Sequence, residues 1–152
     1  MAGRCACPAG RLIEAPAADR KPGVYAALTP VAGYRRNGCT LDIWARRDLP
    51  LDRCAPVLLQ VRGGSWTMGS KRGQAHPLMS HLAGQGWVCV AINYRLSPKS
   101  DWPAAVVDVK RAIAWIKSNI AGYGGDPRFI AITGGSAGGH LSALAALTPN
   151  VS

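Results

Sequence analysis

The sequence predicts an α/β domain built on an open, doubly wound, mostly parallel sheet. Three observations carry this. Short unbroken apolar runs recur at Val57-Leu58-Leu59-Gln60-Val61, Val88-Cys89-Val90-Ala91-Ile92 and Phe129-Ile130-Ala131-Ile132-Thr133, the pattern of strands covered on both faces. Segments with helical spacing separate and follow these runs, so strand and helix alternate. The chain has 152 residues, 48% hydrophobic and 17% charged, which suits one globular core.

Residues 1–22 are rich in Ala, Pro, Arg and Gly and show no helical or strand period. They are expected to form a flexible leader before an ordered domain at 23–152. In the stretch GYRRNGCTLDIWARRD a turn is expected at Asn37-Gly38, followed by a strand in which Leu41, Ile43 and Ala45 alternate with polar Asp42 and Arg46. That alternation predicts an edge strand with one wet face. A helix is expected within GQAHPLMSHLAGQG, interrupted early by Pro77. Another follows Asp101-Trp102-Pro103, where Asp101 can cap and Pro103 fits the first turn. Its apolar stripe is Val106, Val109, Ile113, Ile116 and Ile120, with Asp108, Lys110, Arg111 and Lys117 away from it, so one face packs on the sheet. Gly122, Gly124 and Gly125 stop this helix, and Asp126-Pro127 turns the chain into the next strand. The last helix starts at Ser136.

Charge and cysteine usage narrow the function classes. The formal charge is +10, but residues 1–72 hold twelve basic and five acidic side chains and residues 73–152 hold six and three. No basic helix and no basic run longer than two concentrates that excess, so no nucleic-acid partner is expected. The five cysteines, Cys5, Cys7, Cys39, Cys54 and Cys89, include no Cys-x-x-Cys pair, which argues against a zinc site or a disulfide framework. Cys89 reads as a small core residue. No apolar run approaches the roughly 20 residues that cross a bilayer, and the N-terminal stretch lacks a secretory apolar segment. A soluble, cytoplasmic chain is expected.

The chemistry-bearing segment is Ile132–Ala143, ITGGSAGGHLSA, in which Ser136 is bracketed by glycines. It follows a buried strand and opens a helix, so the chain reverses sharply at the serine. Such a turn leaves no room for side chains two positions away on either side, and Gly134 and Gly138 meet that need. The hydroxyl is then exposed above the sheet, and the Ala137 N–H at the helix start could stabilise an oxyanion. From these residues alone, a glycine-rich phosphate-binding turn stands beside the nucleophile reading. The segment Val61-Arg62-Gly63-Gly64-Ser65-Trp66 also follows a buried strand, and its paired glycines could supply the second half of an oxyanion hole.

These two glycine loops, with INYRLSP at Ile92–Pro98, WPAAVVDVKRAIAWIKSNIAGYGGDP at Trp102–Pro127 and IAITGGSAGGHLSALAAL at Ile130–Leu147, resemble the α/β-hydrolase fold. The likeness is to its carboxylesterase/lipase branch related to hormone-sensitive lipase, and it covers residues 22–152. The resemblance implies Ser136 as nucleophile, Ala137, Gly63 and Gly64 as oxyanion hole, and a small-molecule or lipid ester as substrate. The reaction it implies is acyl transfer to Ser136 and then hydrolysis, with no metal or organic cofactor.

Two departures accompany the resemblance. Arg62 stands where that branch usually carries a histidine that braces the loop. The triad of the fold runs Ser, then Asp or Glu, then His, downstream of the nucleophile, yet the sixteen residues after Ser136 contain no Asp or Glu and only His140. His140 sits one turn into the same helix and cannot swing back over its start. His76 and His81 are expected at the surface or in packing, and Asp101, Asp108 and Asp126 as cap, helix surface and turn. The chain is therefore expected to be the N-terminal part of a truncated or inactive esterase. Its nucleophile strand would be an exposed edge open to self-association. The alternative is a non-catalytic interaction module that keeps the architecture and recruits a partner strand. Trp66 and Trp102 are expected in buried packing, with the mouth of a site as their second reading.

Overall fold

The computed structural model describes residues 25–29, 39–46 and 48–149. The leader at 1–22 and the turn at Asn37-Gly38 lie outside the described residues. Five strands form one sheet, β1 (Tyr25–Thr29), β2 (Leu41–Ala45), β3 (Ala55–Val61), β4 (Val88–Ile92) and β5 (Gly125–Gly134), in the order β1-β2-β4-β3-β5. The helices are α1 (His76–Gly84), α2 (Ala104–Asn119) and α3 (Ala137–Leu147), with a 3-10 turn at Ile120–Tyr123. β3 runs parallel to both β4 and β5, while β1 and β2 add an antiparallel flank.

Strand alternation divides the core into two layers. Val57, Leu59 and Val61 of β3 and Val88, Val90 and Ile92 of β4 meet Val109, Ala112 and Ile116 of α2 and Leu141 of α3. Leu58, Cys89 and Ala91 point the other way, onto Met79 of α1. The sheet is thus covered on both faces, which is why β3 and β4 read as continuous apolar runs rather than alternating ones.

Several expectations are corrected. β2 is not an edge strand, because β1 pairs along it with Tyr25 opposite Ala45 and Thr29 opposite Leu41. Its expected wet residue, Asp42, is buried and binds Lys71 Nζ at 2.7 Å. Pro77 does not interrupt α1 but lies in its first turn, where the missing N–H costs nothing. Asp101 does not cap α2 with its side chain. Pro103 occupies the cap position, and Asp101 contributes only its carbonyl, which accepts from the Ala104 N–H at 2.9 Å. Asp126-Pro127 lies inside β5, which begins at Gly125. β5 is only partly covered, with Phe129 54% exposed, against the expectation of burial on both faces.

Asp108 is the largest correction. It is 2% exposed and accepts from the Arg95 main-chain N–H, from Arg95 Nε and Nη2, and from the Cys39 thiol at 3.2 Å. α2 therefore presents a carboxylate as well as an apolar stripe to the sheet, and that carboxylate locks the segment leaving β4.

Candidate active site

The carboxyl ends of β4, β3 and β5 lie side by side, and the three loops that leave them make the site. Such an edge of a parallel sheet collects the loops that bind ligands. At β5, Ser136 has φ 52° and ψ −123° and directly precedes α3. This conformation is strained for a residue with a Cβ and persists only where the surroundings impose it. The glycines around it explain how. A Cβ on Gly134 would lie 2.5 Å from Val61 O, and one on Gly138 would lie 2.1 Å from the same oxygen. Strand β3, the end of β5 and the first turn of α3 can approach this closely only without side chains there. Ser136 is exposed and its side chain does not cap α3.

Across from it, the loop leaving β3 is folded tightly. The N–H groups of Thr67 and Met68 both donate to Gly64 O at 3.0 Å. Gly64 has φ 122°, and a Cβ there would meet Met68 O at 2.1 Å. Ser65 and Trp66 follow at φ 50° and φ 62°. Three non-glycine residues with positive φ thus gather in the two glycine loops, which is where functional strain concentrates. The Gly63 N–H, expected as an oxyanion donor, donates to Gln74 Oε1 at 2.7 Å. No hydrogen bond among the described residues takes the N–H of Gly64 or of Ala137.

Arg62 braces this loop from beneath. It is 2% exposed, donates through Nε to Asn93 Oδ1 at 3.1 Å, and through its two terminal nitrogens to Met68 O and Tyr94 O. Its guanidinium lies 4.4 Å from the Tyr94 ring centre, and the Tyr94 hydroxyl donates to Arg62 O. Burial pulls the guanidinium below its ordinary pKa, though an arginine in a protein stays protonated. Asn93 Oδ1 also accepts the Lys71 N–H at 2.8 Å, so one side chain holds both ends of the loop. The arginine that replaces the expected histidine therefore fixes the loop rather than loosening it. Gln74 and Asn93 were not singled out from sequence. Gln74 has no signal beyond its position on the segment after β3, whereas Asn93 stands in the INYRLSP stretch after β4.

The histidines do not complete a triad in this arrangement. The His140 ring meets the Trp66 ring edge-on at 5.4 Å and the His76 ring lies 5.2 Å from Trp44, while His81 is exposed on α1. No hydrogen bond joins any of them to the Ser136 hydroxyl among the described residues. Trp66 and Trp102 are 42% and 68% exposed, which corrects their expected burial. The Trp66 carbonyl accepts from the Ser97 N–H at 2.9 Å, tying the loops after β3 and β4 together. Among the described residues no group of three His, Cys, Asp or Glu side chains is gathered to hold a metal, and no helix is long and apolar enough to cross a membrane.

The BD-FAE family profile matches residues 41–152. Over 110 residues the chain is 72% identical to the probable carboxylic ester hydrolase LipM of Mycobacterium tuberculosis, a match spanning 72% of this chain and 26% of LipM. It is 61% identical over 128 residues to esterase LipQ of the same organism, spanning 83% of this chain and 30% of LipQ. Among solved structures, a thermophilic esterase of Thermogutta terrifontis with butyrate bound superposes with a TM-score of 0.69 at 31% identity, over 81% of this chain and 44% of that one. The chain thus spans less than a third of the length of these two mycobacterial relatives.

Proposed function

The chain belongs to the BD-FAE family, within the esterase/lipase branch of the α/β-hydrolase fold, and from that premise we propose that it acts in carboxylic ester hydrolysis through Ser136. The reading is carried by the Ser136 backbone at φ 52° and ψ −123°, a strain that serves to lift a hydroxyl clear of the sheet. In the proposed reaction Ser136 Oγ attacks the ester carbonyl, and its proton passes to a base. The tetrahedral oxyanion receives the N–H groups of Ala137 and Gly64, the alcohol leaves, and water hydrolyses the acyl-serine. Gly63 supports the hole indirectly, through its bond to Gln74. The substrate is a small-molecule or lipid ester. Cys39 and Cys89, held as buried free thiols, are in keeping with a cytoplasmic setting.

The base is the deciding element, because among the described residues none of the three histidine side chains bonds the Ser136 hydroxyl. Loss of a triad base removes on the order of 10⁴ to 10⁶ in turnover. The test is a chimera in which residues 41–149 replace the matching segment of LipM, assayed with short p-nitrophenyl esters beside the chain itself. Hydrolysis by the chimera that disappears in Ser136→Ala, with the chain itself about 10⁴-fold slower or more, is expected. Equal rates in the chimera and its Ser136→Ala variant would remove the nucleophile from the proposal.

A further inference from the structure

We propose that the cleft at the carboxyl ends of β3 and β4 binds a small organic carboxylate. The cleft measures about 560 Å³, and its walls include Arg62, Tyr94, Arg95, Leu96, Lys99 and Ser100 but no acidic side chain. Arg95 is neutralised by Asp108 at 2.8 Å. Arg62 and Lys99 differ, since neither has a carboxylate within ion-pair distance among the described residues.

Arg62 makes the stronger demand. Three of the five N–H groups an arginine carries go to neutral oxygens of Asn93, Met68 and Tyr94. These bonds satisfy donors but leave a positive charge that is 2% exposed without a counter-charge among the described residues, and buried charges are ordinarily paired. A carboxylate in the cleft would supply that charge, with Lys99 at the open side and the Ser100 hydroxyl as a further donor. The cleft is larger than a bare ion requires. Leu96 and the Tyr94 ring offer apolar wall for a short carbon chain, which favours an organic acid over an inorganic anion. The assignment needs no reaction at Ser136 and stands or falls apart from ester hydrolysis.

The probe is pentanoate, with pentanamide as the neutral molecule of the same shape, titrated into the ¹⁵N-labelled full chain and followed by amide chemical shifts. Saturable shifts at Leu96, Lys99 and Ser100 with pentanoate alone are expected. In Lys99→Glu, an exposed position where the amide spectrum reports retention of the fold, the dissociation constant should rise tenfold or more. Equal responses to the two probes, an affinity unchanged in Lys99→Glu, or shifts confined to Gly64 and Ala137 would each overturn the assignment, the last by placing the acid at the serine instead.

Discussion

Ser136 can hold its strained backbone only because Gly134 and Gly138 let β3 and α3 close around it, so the cost of the elbow is met by contacts two residues away. Gly138→Ala would drive a methyl group to 2.1 Å from Val61 O, and that oxygen belongs to a strand paired on both sides. The variant should lose about 3 kcal/mol of stability, the upper range for overpacking, read as a lowered thermal midpoint. A midpoint within one degree or so of the parent would mean that β3 yields, and the elbow would not be the rigid device described. Gly135→Ala is the control, since nothing lies within 4 Å of a Cβ there. A second residue-scale consequence concerns the thiols. Burial, helped at Cys39 by the negative charge of Asp108, pushes Cys39 and Cys89 up to about 12 from 9.0. Both stay protonated at pH 8 in the folded chain, so iodoacetamide should label them only after denaturation, whereas labelling at native rates would contradict their burial. Because the folded values lie above the unfolded one, this contribution to stability is complete below pH 9 and is lost as pH rises towards 12.

At the scale of elements, α2 is attached to the sheet by chemistry as well as by packing. Asp108 pairs with Arg95 at 2.8 Å and meets Arg111 at 3.7 Å. Asp108→Ala would remove the buried carboxylate that pairs with Arg95 and accepts from the Cys39 thiol, and breaking one side of a buried pair costs about 3–5 kcal/mol. Urea unfolding should show the unfolding free energy in water lowered by that amount, with a lower midpoint and the slope unchanged, and a loss under about 1 kcal/mol would place the pair in effectively wet surroundings. This pair also marks where sequence reading stops. The spacing of Val106, Val109, Ile113, Ile116 and Ile120 marks α2, the 3-10 turn that follows it and their buried face, with Ile113 only partly buried, since a periodic stripe is a local property. That Asp108 lies under another segment depends on where β4 releases the chain, and its bond to Cys39 spans 69 residues. The burial of Asp42 escapes sequence reading for the same kind of reason, because alternation describes one strand and says nothing of the distant Lys71-Arg72 segment that pairs with its carboxylate. The strand-turn-helix context of Ser136 was legible since the glycines, the apolar run and the helix adjoin in sequence. The bracing by Arg62, Asn93 and Gln74 was not, since three separate loops must meet before it exists.

At the scale of the molecule, the sheet ends on β5, which among the described residues has β3 on one side and no strand on the other. Sheets generally blunt such an edge with charge, proline or a covering segment. Here Asp126, Pro127 and Arg128 do so for the first residues, where Asp126 accepts from Arg128. Beyond them the edge is Phe129-Ile130-Ala131-Ile132, with Phe129 54% exposed and resting edge-on against Trp87 at 6.1 Å. A free strand of this composition is a template for its own kind, so a second copy of the chain pairing along β5 is the expected outcome at high concentration. Sedimentation velocity should show the weight-average mass rising with concentration, and Phe129→Lys should restore the monomer without a change in far-ultraviolet circular dichroism. A parent chain that stays monomeric at millimolar concentration would show that Trp87 and the partial cover on β5 already protect the edge. Dimers that persist in Phe129→Lys would move the contact elsewhere, with Trp102, 68% exposed, the next position to substitute.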